Sequence, residues 1–196
     1  MSDTGGSAGL LTRLRAVVDP LDAQDAIPPG DQRRAAVLVL ADPFHPGLPL
    51  LFMLRSELVS HHRGQISFPG GGAEPGDASV AMTALRECSE EMGIPPDAVE
   101  LLGTLPPMVT AVSNRWLTPV VAVLRRAVEV VADPFEVAEW FRVPLTTLLT
   151  GPHRVQSVDF EGRPRQIHYY DVDGRIIWGV TGAILHDLLS RLGRTD

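Results

Sequence analysis

Apolar residues in the first half of the chain form two short runs separated by turn-forming residues. Residues 34–41 (RAAVLVLA) are mostly apolar, and Leu50–Arg55 (LLFMLR) follows them across the stretch DPFHPGLP. Apolar runs of this length between turn formers are typical of buried strands. We expect the two runs to pair as a β-hairpin, so the first half of the chain is predicted to be mainly sheet.

A helical spacing begins at Ser79. Apolar residues recur every three or four positions, at Ala81, Leu85, Cys88 and Met92. This spacing places them on one helical face. Asp77 or Ser79 can cap the start of the helix, and Gly93 stands where the chain would leave it in a left-handed conformation. The pattern predicts a helix over residues 79–92.

In the second half of the chain, strand-like apolar runs are followed by a further helical spacing. Strands are predicted at residues 99–105, 117–124, 154–160 and 166–172, and the spacing of Val180, Ile184, Leu188 and Leu192 predicts a helix over residues 178–192. Strands that alternate with two or three helices indicate an α/β layered domain.

Composition fits one soluble domain. The chain has 196 residues, 44% of them hydrophobic, and it lacks the apolar run of roughly 18 residues that spans a membrane. The first residues do not resemble a signal peptide. We expect residues 1–30 to be a partly flexible segment that frays and then forms a short helix, and residues 31–196 to be the domain. Cys88 is the only cysteine, which fits a reducing compartment, with the cytoplasm as the default.

The charged residues exclude several classes of function. The net charge of -7 disfavours nucleic-acid binding, and all 17 basic residues are arginine, which excludes P-loop and Schiff-base chemistry that needs lysine. Two arginine pairs, Arg33-Arg34 and Arg125-Arg126, are expected to flank strands rather than to bind a polyanion. An acidic protein of this kind would need a metal ion to handle an anionic substrate.

Three carboxylates share one face of the predicted central helix. Glu87, Glu90 and Glu91 stand at positions i, i+3 and i+4, within about 6 Å of one another, and Arg86 can pair with Glu90. A solvated helix can show the same face, but the nearby Gly70-Gly71-Gly72 turn lets backbone carbonyls approach the same point. Carboxylate and carbonyl oxygens suit Mg²⁺ or Mn²⁺. The candidate metal ligands are therefore Glu87, Glu90, Glu91 and Gly72.

Residues 72–94 (GAEPGDASVAMTALRECSEEMGI) resemble the Nudix box, G-x5-E-x7-R-E-U-x-E-E-x-G-U, where U is aliphatic. The matching positions are Gly72, Arg86, Glu87, Glu90, Glu91, Gly93 and Ile94. Two positions depart from the pattern. Cys88 replaces an aliphatic residue, and Ala78 stands where the box has its first glutamate, with Asp77 and Glu74 nearby as stand-ins.

The resemblance implies a Nudix fold, an α/β/α sandwich with a mixed β-sheet, and hydrolysis of a nucleoside diphosphate linked to another group. It implies that Glu87 and Glu91 are direct metal ligands and that Glu90 is a further ligand or positions water. Arg86 would orient these catalytic groups.

Residues 51–71 are similar to the signature of the coenzyme A pyrophosphatase branch, roughly L-L-T-x-R-S/A-x3-R-x3-G-x3-F-P-G-G. Residues 133–145 and 177–185 also resemble segments of that branch. The candidate substrate-binding residues are Arg55, His61, His62, Arg63, Gly70 and Gly71. Ser60 replaces a basic residue, and the basic cluster of Arg55 and residues 61–63 is expected to contact the 3′-phosphate of coenzyme A. An ordinary charged surface loop is the alternative.

Other candidates are weaker. Cys88 lies on the apolar stripe, which disfavours a thiol nucleophile. His153, His168 and His186 are scattered without metal-ligand spacing, and Trp140 and Trp178 are expected in the core, although one could stack on adenine.

Three readings of the function remain. The first is a metal-dependent coenzyme A pyrophosphatase, and the second is a related hydrolase of ADP-ribose or nucleoside triphosphates. The third is a non-catalytic nucleotide-binding domain, which the intact Arg86, Glu87, Glu90 and Glu91 disfavour. We also expect a small-molecule substrate and neither nucleic acid nor a membrane as a partner. A homodimer is one alternative for the oligomeric state.

Overall fold

The computed structural model describes residues 4–24, 30–58, 64–111, 113–160 and 162–194. The α-helices are α1 (Thr4–Val17), α2 (Val80–Met92), α3 (Leu145–Thr150) and α4 (Gly179–Arg191), with short 3-10 helices at Leu21–Gln24 and Pro96–Ala98. The strands are β1 (Arg33–Ala41), β2 (Leu50–Arg55), β3 (Ile66–Ser67), β4 (Gly70–Gly72), β5 (Val99–Thr104), β6 (Met108–Val109), β7 (Arg115–Leu124), β8 (Val137–Val143), β9 (His153–Phe160), β10 (Arg163–Val172) and β11 (Arg175–Ile177). None of the helices in these ranges is long and apolar enough to cross a membrane.

Strand β1 lies in the middle of an eight-stranded mixed sheet. It pairs in parallel with β7 from Arg33↔Arg115 to Ala41↔Val123, and its other edge pairs antiparallel with β4. Strands β5 and β6 pair with β7, while β2 pairs with β3 and β8. The mixed sheet of the expected fold is confirmed.

The expected β1–β2 hairpin forms only at its turn. The register of these two strands is the single pair Ala41↔Leu50, because β4 takes the rest of that edge of β1, from Ala35 to Val37. Strand β2 pairs instead along most of its length with β8, from Leu50↔Val143 to Arg55↔Val137. A pairing with a distant strand has no local sequence signal, so the strand at Val137–Val143 was missed.

Apolar side chains cover both faces of the large sheet. On one face, Leu38, Leu40 and Val120 are buried with Cys88 and Met92 of α2. The other face carries a second core, in which α1 and α4 contribute Leu10, Leu14, Ile184, Leu185 and Leu188. Helices therefore lie on both sides of the sheet, which confirms the predicted α/β/α sandwich. The proposed division of the chain near residue 30 stays a prediction.

Helix α2 begins and ends as its sequence predicts. The Ser79 hydroxyl accepts a hydrogen bond from the Met82 amide at 3.2 Å, and Gly93 ends the helix at a φ of 66° while its amide donates to the Ser89 carbonyl. These caps satisfy backbone groups that a helix end leaves unpaired. The carboxylates on α2 are therefore held by a helix with defined ends.

A small second sheet, β9–β10–β11, packs beside α4. The expectation that Trp178 lies in the core is wrong, because its residue is 44% exposed at the start of α4. Trp140, on β8, is half-buried and packs against the core on the α2 side.

Candidate active site

Glu91 lies at the contact between α2 and the glycine strand β4. Its carboxylate accepts hydrogen bonds from the Gly70 amide at 2.7 Å and from Arg55 Nη1 at 3.0 Å. Only 1% of its side chain is exposed, and this burial raises the pKa of Glu91 to about 8 against the opposing effects of Gly70 and Arg55. A buried carboxylate of this kind is favoured in its charged form when a cation lies beside it.

Glu87 lies one turn earlier on α2, directly against Gly71. A Cβ atom added to Gly71 would collide with the Glu87 carboxylate. Burial raises the pKa of Glu87, while Arg86 acts in the opposite direction. Gly70 is restricted as well, because its φ of 155° favours glycine and a side chain there would collide with β1. The glycine strand thus lets backbone and carboxylates approach each other closely.

Arg86 connects the acidic groups around β4. Its Nη2 donates to the Gly72 carbonyl at 2.9 Å and to Glu87 Oε1 at 3.0 Å, and its Nη1 donates to Glu90 Oε2 at 2.9 Å. The predicted pairing with Glu90 is therefore present. The Gly72 carbonyl, a predicted metal ligand, already accepts a hydrogen bond from Arg86.

Asp77 holds the other side of the Arg86 guanidinium. Arg86 Nε donates to Asp77 Oδ1 at 3.2 Å and Nη2 donates to Oδ2 at 3.0 Å, while Thr83 Oγ1 and the Glu74 amide also donate to Oδ2. The hydrogen bonds from Arg86 are the main reason that the pKa of Asp77 falls to about 2. Asp77 precedes Ala78, and its position beside that departure from the box was the only sequence signal for its role.

The helical spacing places the three glutamates on one face of α2, but the fold exposes them to very different extents. The side chain of Glu91 is 1% exposed, that of Glu87 is 15% exposed, and that of Glu90 is 57% exposed. The strand β4 packs over the first two and leaves Glu90 at the rim. Spacing along a helix predicts proximity between side chains, but it carries no information on what the rest of the fold places over them.

Carboxylates outnumber guanidinium groups at this site. Among the residues that the structure describes here, six carboxylates lie within 4.0 Å of two arginines, namely Glu74, Asp77, Glu87 and Glu90 around Arg86, and Glu91 and Glu136 around Arg55. Glu136 has no counterpart in the Nudix box and was missed by motif reasoning. The excess negative charge, carried by oxygen donors, fits a hard divalent cation such as Mg²⁺ or Mn²⁺.

The predicted substrate-binding residues fall into two groups. Arg55, Gly70 and Gly71 lie together, since Arg55 and the Gly70 amide both bind Glu91 and Gly71 lies against Glu87. His61, His62 and Arg63, together with Ser60, lie outside the described residues.

The histidines expected to be scattered come together in space. One ring nitrogen from each of His153, His168 and His186 lies within 4.8 Å of the other two, and the three residues come from β9, β10 and α4. The rings are nearly parallel, with the His168 and His186 centroids 3.7 Å apart. Stacked imidazoles pack the small sheet against α4, and nitrogen ligands do not suit Mg²⁺. The acidic site, and not the histidine cluster, therefore has the ligand type that suits Mg²⁺.

Cys88 is excluded as a nucleophile by its surroundings. Its residue is 1% exposed within the core under α2, and burial raises the pKa of the thiol to about 12. A thiol that stays protonated and buried is inert.

Comparison with known proteins agrees with this geometry. Residues 31–162 match the family model of the NUDIX domain. The chain is 39% identical over 165 residues to the uncharacterized Nudix hydrolase NudL of Pectobacterium atrosepticum, covering 82% of this chain and 83% of that protein. It is 35% identical over 163 residues to NudL of Photorhabdus laumondii subsp. laumondii, covering 83% and 87%.

A solved structure shows the same fold. The crystal structure of a MutT/nudix family protein from Enterococcus faecalis superposes with a TM-score of 0.53 at 17% identity, covering 94% of this chain and 68% of that one. The chain belongs to the NUDIX family. It is a Nudix hydrolase, a class of pyrophosphatases that generally need divalent metal ions.

Proposed function

We propose that this protein hydrolyses the pyrophosphate of coenzyme A or its acyl derivatives. The products would be adenosine 3′,5′-bisphosphate and 4′-phosphopantetheine or its acyl form. Water adds across the P–O–P anhydride, so that one phosphorus gains the water oxygen and the other keeps the bridging oxygen, which takes a proton. The observation that carries the proposal is the pair of buried carboxylates, Glu87 and Glu91, packed against a strand made only of glycine.

Glu87 and Glu91 are the proposed direct ligands of Mg²⁺ or Mn²⁺, with Glu90 or the Gly72 carbonyl as further ligands. The cation, when bound, neutralises the pyrophosphate and acidifies the attacking water. The chain itself supplies rigidity, because Arg86 fixes Glu87, Glu90 and the Gly72 carbonyl, while Arg55 and the Gly70 amide fix Glu91. Carboxylates held in this way need little reorganisation during the reaction.

The proposal of coenzyme A as the substrate is supported by the positions of three sequence segments that resemble the coenzyme A branch. Residues 51–71 supply Arg55 and two glycines of β4. Residues 133–145 supply Glu136, whose carboxylate lies 3.8 Å from Arg55. Residues 177–185 supply Thr181, whose hydroxyl donates to the Ile66 carbonyl at 3.0 Å just before the glycine strand. Two of the segments that resemble the coenzyme A branch therefore contribute side chains or backbone to the acidic cluster, and the third contacts the strand β3 that precedes β4.

Substrate contacts are proposed at Gly70, Gly71 and Arg55, with His61, His62 and Arg63 as further contacts to phosphate. A related Nudix activity on ADP-ribose or nucleoside triphosphates is the rival proposal. A location in the cytoplasm and a homodimeric state stay predictions.

The deciding experiment incubates the protein with Mg²⁺ and equal concentrations of coenzyme A, dephospho-coenzyme A, ADP-ribose and nucleoside triphosphates. Products are identified by mass. We expect coenzyme A to be cleaved with the highest kcat/KM, yielding adenosine 3′,5′-bisphosphate. If ADP-ribose is the best substrate, the coenzyme A proposal is wrong and the rival replaces it.

A further inference from the structure

Two arginines begin the central pair of parallel strands. Arg33 of β1 and Arg115 of β7 are register partners, and adjacent residues at the same register project from the same face of a sheet. Together with Asp31, Ser113 and Asn114 they line a cavity of about 330 Å³. This volume lies in the range of small-molecule pockets, roughly 300–1,000 Å³.

These arginines differ from those of the acidic cluster. Arg55 and Arg86 are each bound to carboxylates. Among the residues that the structure describes, neither the Arg33 nor the Arg115 guanidinium makes a salt bridge or hydrogen bond, and Asp31 is the acidic residue that shares their cavity. Two guanidinium groups lining one cavity offer planar donor sets that match phosphate oxygens.

The cavity adjoins the glycine strand. A Cβ atom added to Gly72 would collide with Nη1 of Arg115, just as one added to Gly71 would collide with Glu87. Successive strand residues point to opposite faces, so Arg115 and Glu87 flank β4 from its two sides. Since β4 carries no side chains, only backbone separates the arginine cavity from the proposed metal ligands.

We propose that Arg33 and Arg115 form a subsite for a phosphate monoester on the nucleotide half of the substrate. This inference rests on the proposed function, under which the phosphate monoester is the 3′-phosphate of coenzyme A, one ribose away from the pyrophosphate. Arg115 binds the phosphate from the side of Gly72, and Arg33 binds it from the outer end of the cavity. The subsite is distinct from the basic cluster of Arg55 and residues 61–63.

Binding measurements test the subsite without requiring turnover. Isothermal titration calorimetry compares adenosine 3′,5′-bisphosphate with adenosine 5′-monophosphate on the full chain. We expect the parent protein to bind the bisphosphate about ten- to a hundredfold more tightly, as charge-assisted hydrogen bonds predict. The variant Arg33→Ala/Arg115→Ala should bind both nucleotides with the affinity of the monophosphate.

Two comparison variants complete the design. Arg126→Ala removes an exposed arginine that pairs with Asp97, and it should retain the full preference for the bisphosphate. Arg63→Ala tests the competing basic cluster. Because Arg63 is a proposed contact to phosphate, this variant should bind both nucleotides more weakly but keep the ratio of their affinities. Unchanged binding of the monophosphate by Arg33→Ala/Arg115→Ala shows that this variant is folded, and Arg33→Gln/Arg115→Gln replaces it if that binding is lost.

The subsite is wrong if the parent protein binds both nucleotides equally, or if the double variant keeps the preference. A preference lost in Arg63→Ala alone would move the subsite to residues 61–63. Failure of the coenzyme A proposal can be told apart from failure of the subsite. In that case the parent protein would not cleave coenzyme A, but the double variant would still abolish the preference for the bisphosphate.

Discussion

Asp77 accepts hydrogen bonds from both Nε and Nη2 of Arg86, at 3.2 and 3.0 Å, one residue before the position at which the Nudix box has its first glutamate. Ala78, at that position, is exposed at its side chain. The carboxylate that orients Arg86 is therefore displaced by one residue along the chain, and the departure at Ala78 does not leave the guanidinium without an acidic partner.

This displacement predicts that Asp77→Ala lowers kcat by about ten- to a hundredfold, because Arg86 would no longer be held in the orientation that fixes Glu87 and Gly72. The variant Asp77→Ala/Ala78→Glu places a carboxylate at the position of the box and should recover part of the activity. Steady-state kinetics with Mg²⁺ measures both variants. Full activity of Asp77→Ala would contradict the role of Asp77.

The Asp77–Arg86 pair also predicts how the free energy of unfolding changes at low pH. The pKa of Asp77 is about 2 in the folded protein and 3.8 ordinarily, so its contribution to stability is complete only above about pH 5 and is lost as the pH falls through 2. We expect a contribution of about 1–2 kcal/mol, less than the pKa shift alone implies, because Arg86 remains partly exposed. Chemical denaturation of the parent and Asp77→Asn from pH 5 to 2 should show free energies of unfolding that converge. Parallel curves would contradict this linkage.

The acidic cluster predicts a strict metal requirement. Excess chelator should abolish hydrolysis, and Glu87→Gln or Glu91→Gln should lower kcat by roughly two to four orders of magnitude. A second measurement does not depend on turnover. Mg²⁺ should raise the melting temperature of the parent protein, because a ligand that binds only the folded state stabilises it, and this increase should be lost in Glu91→Gln. Near-full activity in either variant would mean that the ligands are assigned wrongly.

Gly71 in β4 and Gly76 in the turn that follows it offer a matched pair. A Cβ atom at Gly71 collides with the Glu87 carboxylate, whereas one at Gly76 meets nothing within 4 Å. Gly71→Ala should therefore displace Glu87 and lower kcat more than tenfold, while Gly76→Ala should leave both kcat and stability nearly unchanged. Equal activities of the two variants, measured at saturating Mg²⁺, would show that Glu87 tolerates displacement.

The local features of this site follow from the sequence, whereas its long-range partners do not. Helix α2, its caps and the Arg86–Glu90 pair are set by residues three or four positions apart, so periodicity predicts them. The contact of Arg55 with Glu91 depends on how α2 packs against the sheet, and that of Arg33 with Arg115 depends on a strand pairing. Both join distant segments, which composition and spacing do not encode. The burial of Glu91 was missed for the same reason, because β4 covers it only in the folded sheet.

The parallel pairing of β1 with β7 has a consequence for the order of folding. The loop that must close to bring Arg33 beside Arg115 includes the whole of β2 to β6 and α2, and closing a loop of this length costs entropy that slows folding. The acidic residues of α2 lie beside one another as soon as that helix forms. They lie beside the arginine cavity only once β1 and β7 have paired, so recovery of nucleotide binding during refolding reports on the pairing of these two strands.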